Sequence, residues 1–113
     1  FIYSARSFGE FICVDAKTGT QVWETDKVTA KKSGASVHPT ENGDSVLLYN
    51  DHGELIRAQL TPEGYHEISR ARVLDPTENF NRKVAWAAPA YANRNIYART
   101  DKELVCASLA AEP

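Results

Sequence analysis

Methionine is absent from the 113-residue sequence, and the chain begins at Phe1. It is therefore expected to be a piece of a longer product, processed or cut. Long apolar runs are missing as well. None approaches the roughly 18 residues that a membrane-crossing helix needs, and no signal-peptide pattern is visible. Nor is there an excess of positive charge: 13 Lys and Arg stand against 15 Asp and Glu, a formal net charge of −2. That balance lacks the electrostatic footprint of a nucleic-acid or anionic-membrane binder. The one basic cluster, Lys27 with Lys31 and Lys32, reads as a solvated loop.

Cysteine is scarce. Cys13 and Cys106 each sit inside an apolar run, F-I-C-V and L-V-C-A, with no C-x-x-C spacing. They fit neither the disulfide framework of a small secreted domain nor a zinc site, and both are expected to be small buried hydrophobes. Helical periodicity is lacking too. No window longer than about ten residues keeps apolar positions at i, i+3, i+4 and i+7.

What the sequence does contain is a series of short β-branched and aromatic runs. Strands are expected at residues 1–4, 11–14, 21–24, 34–38, 45–49, 55–60, 65–69, 84–88, 95–99 and 104–109. Between them lie turn signals such as Asn42-Gly43, Asp51-His52-Gly53 and Thr61-Pro62-Glu63-Gly64, whose residues supply positive φ or cap their own backbone. Many short strands at close spacing indicate an antiparallel all-β fold.

An internal repeat sharpens that reading. Glu10, Glu54 and Glu103 recur at spacings of 44 and 49 residues, each followed by an apolar pair: Phe11-Ile12, Leu55-Ile56 and Leu104-Val105. Upstream, Pro39 and Pro89 occupy matching places, as do Tyr49 and Tyr97. One extra residue separates Gly53 from its turn relative to Gly9, so a β-bulge is expected in the second unit. Four short strands per period is the size of one propeller blade. The expected fold is thus all-β, a partial β-propeller of about two and a half four-stranded antiparallel blades. A blade remnant covers 1–26, a full blade 34–73 and a partial blade 83–110. A closed ring usually has about four to eight blades.

Within the stretch C-V-D-A-K-T-G-T-Q-V-W from Cys13, the same physics assigns roles without catalysis. Asp15 is expected to accept main-chain N–H bonds as an Asx-turn. Gly19 supplies the positive φ that reverses the chain. Trp23 is placed to cover the junction with the next blade. Alternatives, with Asp15 as a base or Trp23 as a cofactor platform, are not needed to explain these residues.

These residues resemble the blade motif A-x-D-x-x-T-G-x-x-x-W of PQQ-like, quinoprotein-type propellers, with Cys13 in place of Ala. The family includes pyrroloquinoline quinone-dependent alcohol dehydrogenases and cofactor-free, BamB-like relatives, and its fold is of the WD40/PQQ-like type. The second unit departs from the motif, with Leu60 for the Asp and Ile68 for the Trp. The segment from Val84 to Leu109 is similar to the closing portion of such repeat proteins. The resemblance implies a C-terminal fragment of a larger bacterial protein, periplasmic or secreted. Its partners would be the remaining blades, a second copy of the chain or another protein. A family dehydrogenase would bring the quinone PQQ, a calcium ion, an Asp base and adjacent cysteines. No Cys-Cys pair occurs here and no Asp matches the catalytic one, so no family site residue carries over.

Other constellations are equally thin. His38, His52 and His66 are each 14 residues apart, but the expected strands hold them apart, so no metal triad is expected. Asn50-Asp51-His52-Gly53 reads as a hairpin turn, not a calcium loop. Asn79, Asn81, Arg82 and Lys83 fall in the longest connection, 74–83, expected as a surface loop with a binding role as the alternative. Ligands of propellers usually approach where first strands and their loops converge. By that argument His38, Trp86, Arg99 and Asp101 form the candidate binding surface. For Trp86, packing between blades is the competing explanation, and for Arg99 and Asp101 a solvated ion pair. The expected function is a non-catalytic scaffold or interaction module, with no cofactor of its own. The alternative is a fragment of a PQQ-dependent oxidoreductase whose active site lies in missing blades. A sensor domain fused to a signalling enzyme is a third.

Overall fold

Short apolar runs that alternate in and out can only be satisfied as strands packed face to face. The computed structural model describes residues 1–30, 35–79 and 82–110, and among them every regular element is a β-strand. The first sheet is an antiparallel meander of β1 (Ile2–Ala5), β2 (Phe11–Val14) and β3 (Gln21–Thr25). The second has four strands in chain order: β4 (Val37–Asn42), β5 (Ser45–Asn50), β6 (Glu54–Thr61) and β7 (Gly64–Arg72). A short hairpin follows, β8 (Thr77–Asn79) with β9 (Arg82–Val84). The third sheet comprises β10 (Ala90–Ala92), β11 (Asn95–Arg99) and β12 (Leu104–Ser108).

The middle sheet is buried on both faces, and this holds the molecule together. Leu48, Ile56 and Ala58 pack with Phe11 and Val28 towards the first sheet. Tyr49 and Leu55 point the other way and pack with Ile96, Ala98, Leu74 and Ala85 towards the third. Consecutive residues Leu48 and Tyr49 therefore serve two cores, as the two-residue period of a strand requires. The result is a slab of 42 × 42 × 19 Å.

The stretch from Cys13 folds as its chemistry directs. The Lys17 amide donates to Asp15 Oδ1 at 2.9 Å, the Gly19 amide to the Asp15 carbonyl at 2.8 Å, and Gly19 has φ 75°. Trp23 then lies against Tyr3 and Phe11, with ring centroids 6.0 and 6.4 Å away. Its indole donates to the Thr61 carbonyl of the middle sheet at 2.8 Å. Glu10, Glu54 and Glu103 stand in equivalent places, each at the head of the strand that follows a turn: β2, β6 and β12.

Several expectations need correction. The bulge expected in the second unit is present, with Ile68 skipped opposite Arg57 and Ala58, but a second one lies in the first sheet, where Val22 is skipped opposite Cys13 and Val14. The extra length of the second hairpin instead extends its arms to the Thr61↔Gly64 pair. The fourth expected strand ends at His38, yet β4 continues to Asn42 with Pro39 opposite Leu48. An edge strand tolerates proline, because the missing N–H is not needed for a ladder on that side. The start of that expected strand, Gly34, lies outside the described residues, as do Lys31, Lys32 and Asn81.

A strand over 84–88 does not form. Val84 ends β9, and the Ala85 amide bonds to the Asp51 carbonyl of the middle sheet at 2.7 Å, so this run bridges sheets instead of joining one. The connection 74–83 is not simply a surface loop, since Leu74 is buried and β8–β9 occupies much of the rest. Cys13 is fully buried, but Cys106 is exposed, because it faces outward from the last sheet.

Candidate functional site

Of the four candidate residues, His38 and Trp86 are brought into contact, while Asp101 bonds to Thr77. His38 near the start of β4 sets Nε2 3.3 Å from the main-chain carbonyl of Trp86. Trp86 itself, between β9 and β10, is exposed. Asp101, in the turn after β11, accepts a hydrogen bond from the Thr77 hydroxyl of β8. That bond, with smaller help from Lys102 and Arg99, holds the Asp101 carboxyl below its usual range. The β8–β9 hairpin lies between these two contacts, since Thr77 is the cross-strand partner of Val84, two residues before Trp86. Arg99 ends β11 opposite Leu104.

Beside them lies a buried polar turn that the sequence presents as an ordinary hairpin tip. Asn50 and Asp51 are both fully buried. The Asn50 amide donates to the Val28 carbonyl at 2.8 Å and to Glu54 Oε1 at 3.0 Å. Its oxygen accepts from the amides of His52 and Glu54. Thr29 donates to Asp51 Oδ1 at 2.6 Å. These bonds fasten the turn to the preceding connection, and each meets the need of a buried polar group for a partner. Only the burial of Asn50-Asp51 distinguishes them from a solvated turn, and no local sequence pattern carries that.

His38 is on β4, His52 in the β5–β6 turn and His66 on β7, and among the described residues no group of three His, Cys, Asp or Glu could hold a metal ion. The two cysteines occupy separate sheets, one buried and one exposed.

A concavity lies elsewhere, between the second and third sheets. It is a cleft of about 680 Å³ lined by Thr40, Leu47, Arg57 and Ser69 on one side and Tyr91 and Arg94 on the other. The first four form one cross-strand row on β4, β5, β6 and β7. Arg94 sits in a two-residue turn with Asn93, both at positive φ (52° and 62°), between paired Ala92 and Asn95. That is the geometry of a type I′ hairpin. Burial pushes the Tyr91 phenol up to about 12. Comparison with family models, with curated proteins and with solved structures finds no match to this chain.

Proposed function

We propose that the chain is a segment of a larger β-propeller, about two and a half blades, and that it works as a non-catalytic scaffold or interaction module. The observation that carries this reading is the succession of packed meanders whose two end sheets leave their outer faces open. Each sheet follows chain order, and the middle one is covered on both sides by its neighbours. The outer faces of the end sheets are apolar and open. Leu104 on the third sheet is 75% exposed, and Ile2 on the first is 54% exposed.

The two open faces are also of opposite kind. On the first sheet Ile2, Ile12 and Val14 point outward, in the positions where the middle sheet presents Val46, Ile56 and Ala58 to its neighbour. On the third, Tyr97, Leu104 and Cys106 point outward, the side from which the first sheet offers Tyr3, Phe11 and Cys13. Such faces fit each other head to tail, either through further sheets of the same protein or through a second copy.

Size-exclusion chromatography with light scattering, run across a range of concentrations, tests this. The expected mass lies above the 12.5 kDa of one chain and rises with concentration, and Leu104→Glu lowers it. A monomer at every concentration would overturn the reading.

A further inference from the structure

Going beyond the scaffold reading, and independent of it, we propose that the cleft between the second and third sheets binds a small, flat aromatic carboxylate carrying a single negative charge. The argument starts from two equivalent cross-strand rows. In the first sheet Tyr3, Cys13 and Trp23 are paired across β1, β2 and β3. In the second, Leu47, Arg57 and Ser69 are paired across β5, β6 and β7. A register shift follows immediately after Cys13 in one and after Arg57 in the other, so the rows occupy the same place in their sheets. Each row faces the next sheet.

At the first interface the Trp23 indole fills that space and hydrogen-bonds across it. At the second interface the residue in its place is Ser69, and the space is the cleft. A slot left open between packed sheets, where an indole sits at the equivalent interface, is the shape a flat ring occupies. Leu47, Leu55, Tyr91 and Leu109 supply its apolar walls.

Charge then selects the ligand. Arg57, in the place of the small Cys13, donates Nε to Ser45 Oγ at 3.3 Å, and Arg94 stands on the opposite wall. Among the described residues neither is in an ion pair. Arg70 reaches the cleft too, but its guanidinium is committed to Glu54 and Glu67. One carboxylate, Glu41, lies in the lining. Two guanidiniums outside any ion pair, against one glutamate, favour a monoanion, and guanidinium recognises carboxylate through paired, charge-assisted bonds. The volume suits a small ligand.

The test is calorimetric titration of the chain with three probes of one shape: indole-3-acetate, indole and tryptamine. Indole-3-acetate is expected to bind, indole to bind at least about tenfold more weakly, and tryptamine not at all. Arg57→Gln should weaken indole-3-acetate by at least about tenfold with an unchanged circular dichroism spectrum. The double variant Arg57→Cys/Ser69→Trp copies two of the three residues of the first sheet's row and should abolish binding by occupying the cleft. If the double variant does not fold, Arg57→Gln alone decides. Four results would overturn the proposal: no binding of indole-3-acetate to the folded chain, equal binding of tryptamine, undiminished binding by folded Arg57→Gln, or binding that survives in the folded double variant.

Discussion

The Trp23 indole N–H donates to the main-chain carbonyl of Thr61 at 2.8 Å, joining strands 38 residues apart on different sheets. The same ring packs on Tyr3 and Phe11. It therefore serves as both wedge and tether. Trp23→Phe keeps most of the wedge and loses the tether, with an expected cost of about 1 kcal/mol. Trp23→Ala loses both and should cost about 3 kcal/mol. Urea unfolding of the two variants checks this: a Trp23→Phe variant as stable as the native chain would mean that the hydrogen bond contributes nothing, and equal losses in the two variants would mean that the packing contributes nothing.

Gly53 is constrained in a different way. It has φ 77°, and a Cβ built there would meet the Leu74 carbonyl oxygen at 2.3 Å. That carbonyl cannot simply retreat, because the amides of Val73 and Leu74 both point at the Gly53 oxygen, at 2.8 and 3.4 Å. Gly19 has a similar φ of 75° but open space around it. Gly19→Ala should cost only the left-handed backbone penalty, about 1 kcal/mol. Gly53→Ala adds a backbone clash and should cost about 3 kcal/mol or more. Thermal unfolding of the two variants separates conformational strain from steric conflict, and similar losses would show that the Leu74 segment yields.

The contrast between these glycines also shows what the sequence could and could not convey. Local chemistry was legible: β2 and β11 span the expected residues 11–14 and 95–99, and Asp15 and Gly19 make the turn their types favour. The repeated glutamates mark equivalent strand starts because the same local geometry recurs. Features set by distant neighbours were not legible. Nothing near Gly53 in the sequence announces Leu74, and nothing near Ala85 announces that its amide will serve the Asp51 carbonyl. That β4 runs on through Pro39 to Asn42 depends on its being an edge strand. The cleft is the clearest case. Ser69 holds the place of Trp23 only once both bulges are located, whereas aligning the repeats by sequence puts Ile68 there.

Acid should weaken the outer edge of the middle sheet. Glu67 accepts from Arg70 at 2.9 Å and from the Tyr65 hydroxyl at 2.8 Å. The Arg70 bond, chiefly, holds its carboxyl below the ordinary value of 4.5, with burial opposing. A carboxyl depressed in the folded state contributes stability above its unfolded pKa, and that contribution is lost as pH falls through the folded value. The pair is partly exposed, so the expected contribution at neutral pH is only about 0.5 to 1 kcal/mol. Glu67→Gln should be less stable than the native chain by that amount at neutral pH. The gap should close as the pH falls below about 4. A gap that persists in strong acid would mean that the substituted amide disturbs packing instead of merely removing a charge.

The two thiols give a direct reading of which faces are covered. Cys13 is fully buried between the first and second sheets, opposite Tyr3 and Trp23. Cys106 stands opposite Tyr97 on the outward face of the third sheet and is exposed. A thiol-specific reagent should therefore modify Cys106 quickly in the folded chain, and Cys13 only as fast as the interface opens. Mass spectrometry of the partly reacted protein assigns the sites. Two fast thiols would contradict the burial of Cys13 at that interface. The concentration dependence carries further information. If the open face of the third sheet is the one a second copy covers, raising the protein concentration should slow Cys106 while leaving Cys13 unchanged. A Cys106 rate that stays constant while the mass in solution rises would place the contact on another surface, and the head-to-tail arrangement would be wrong even though the chain associates.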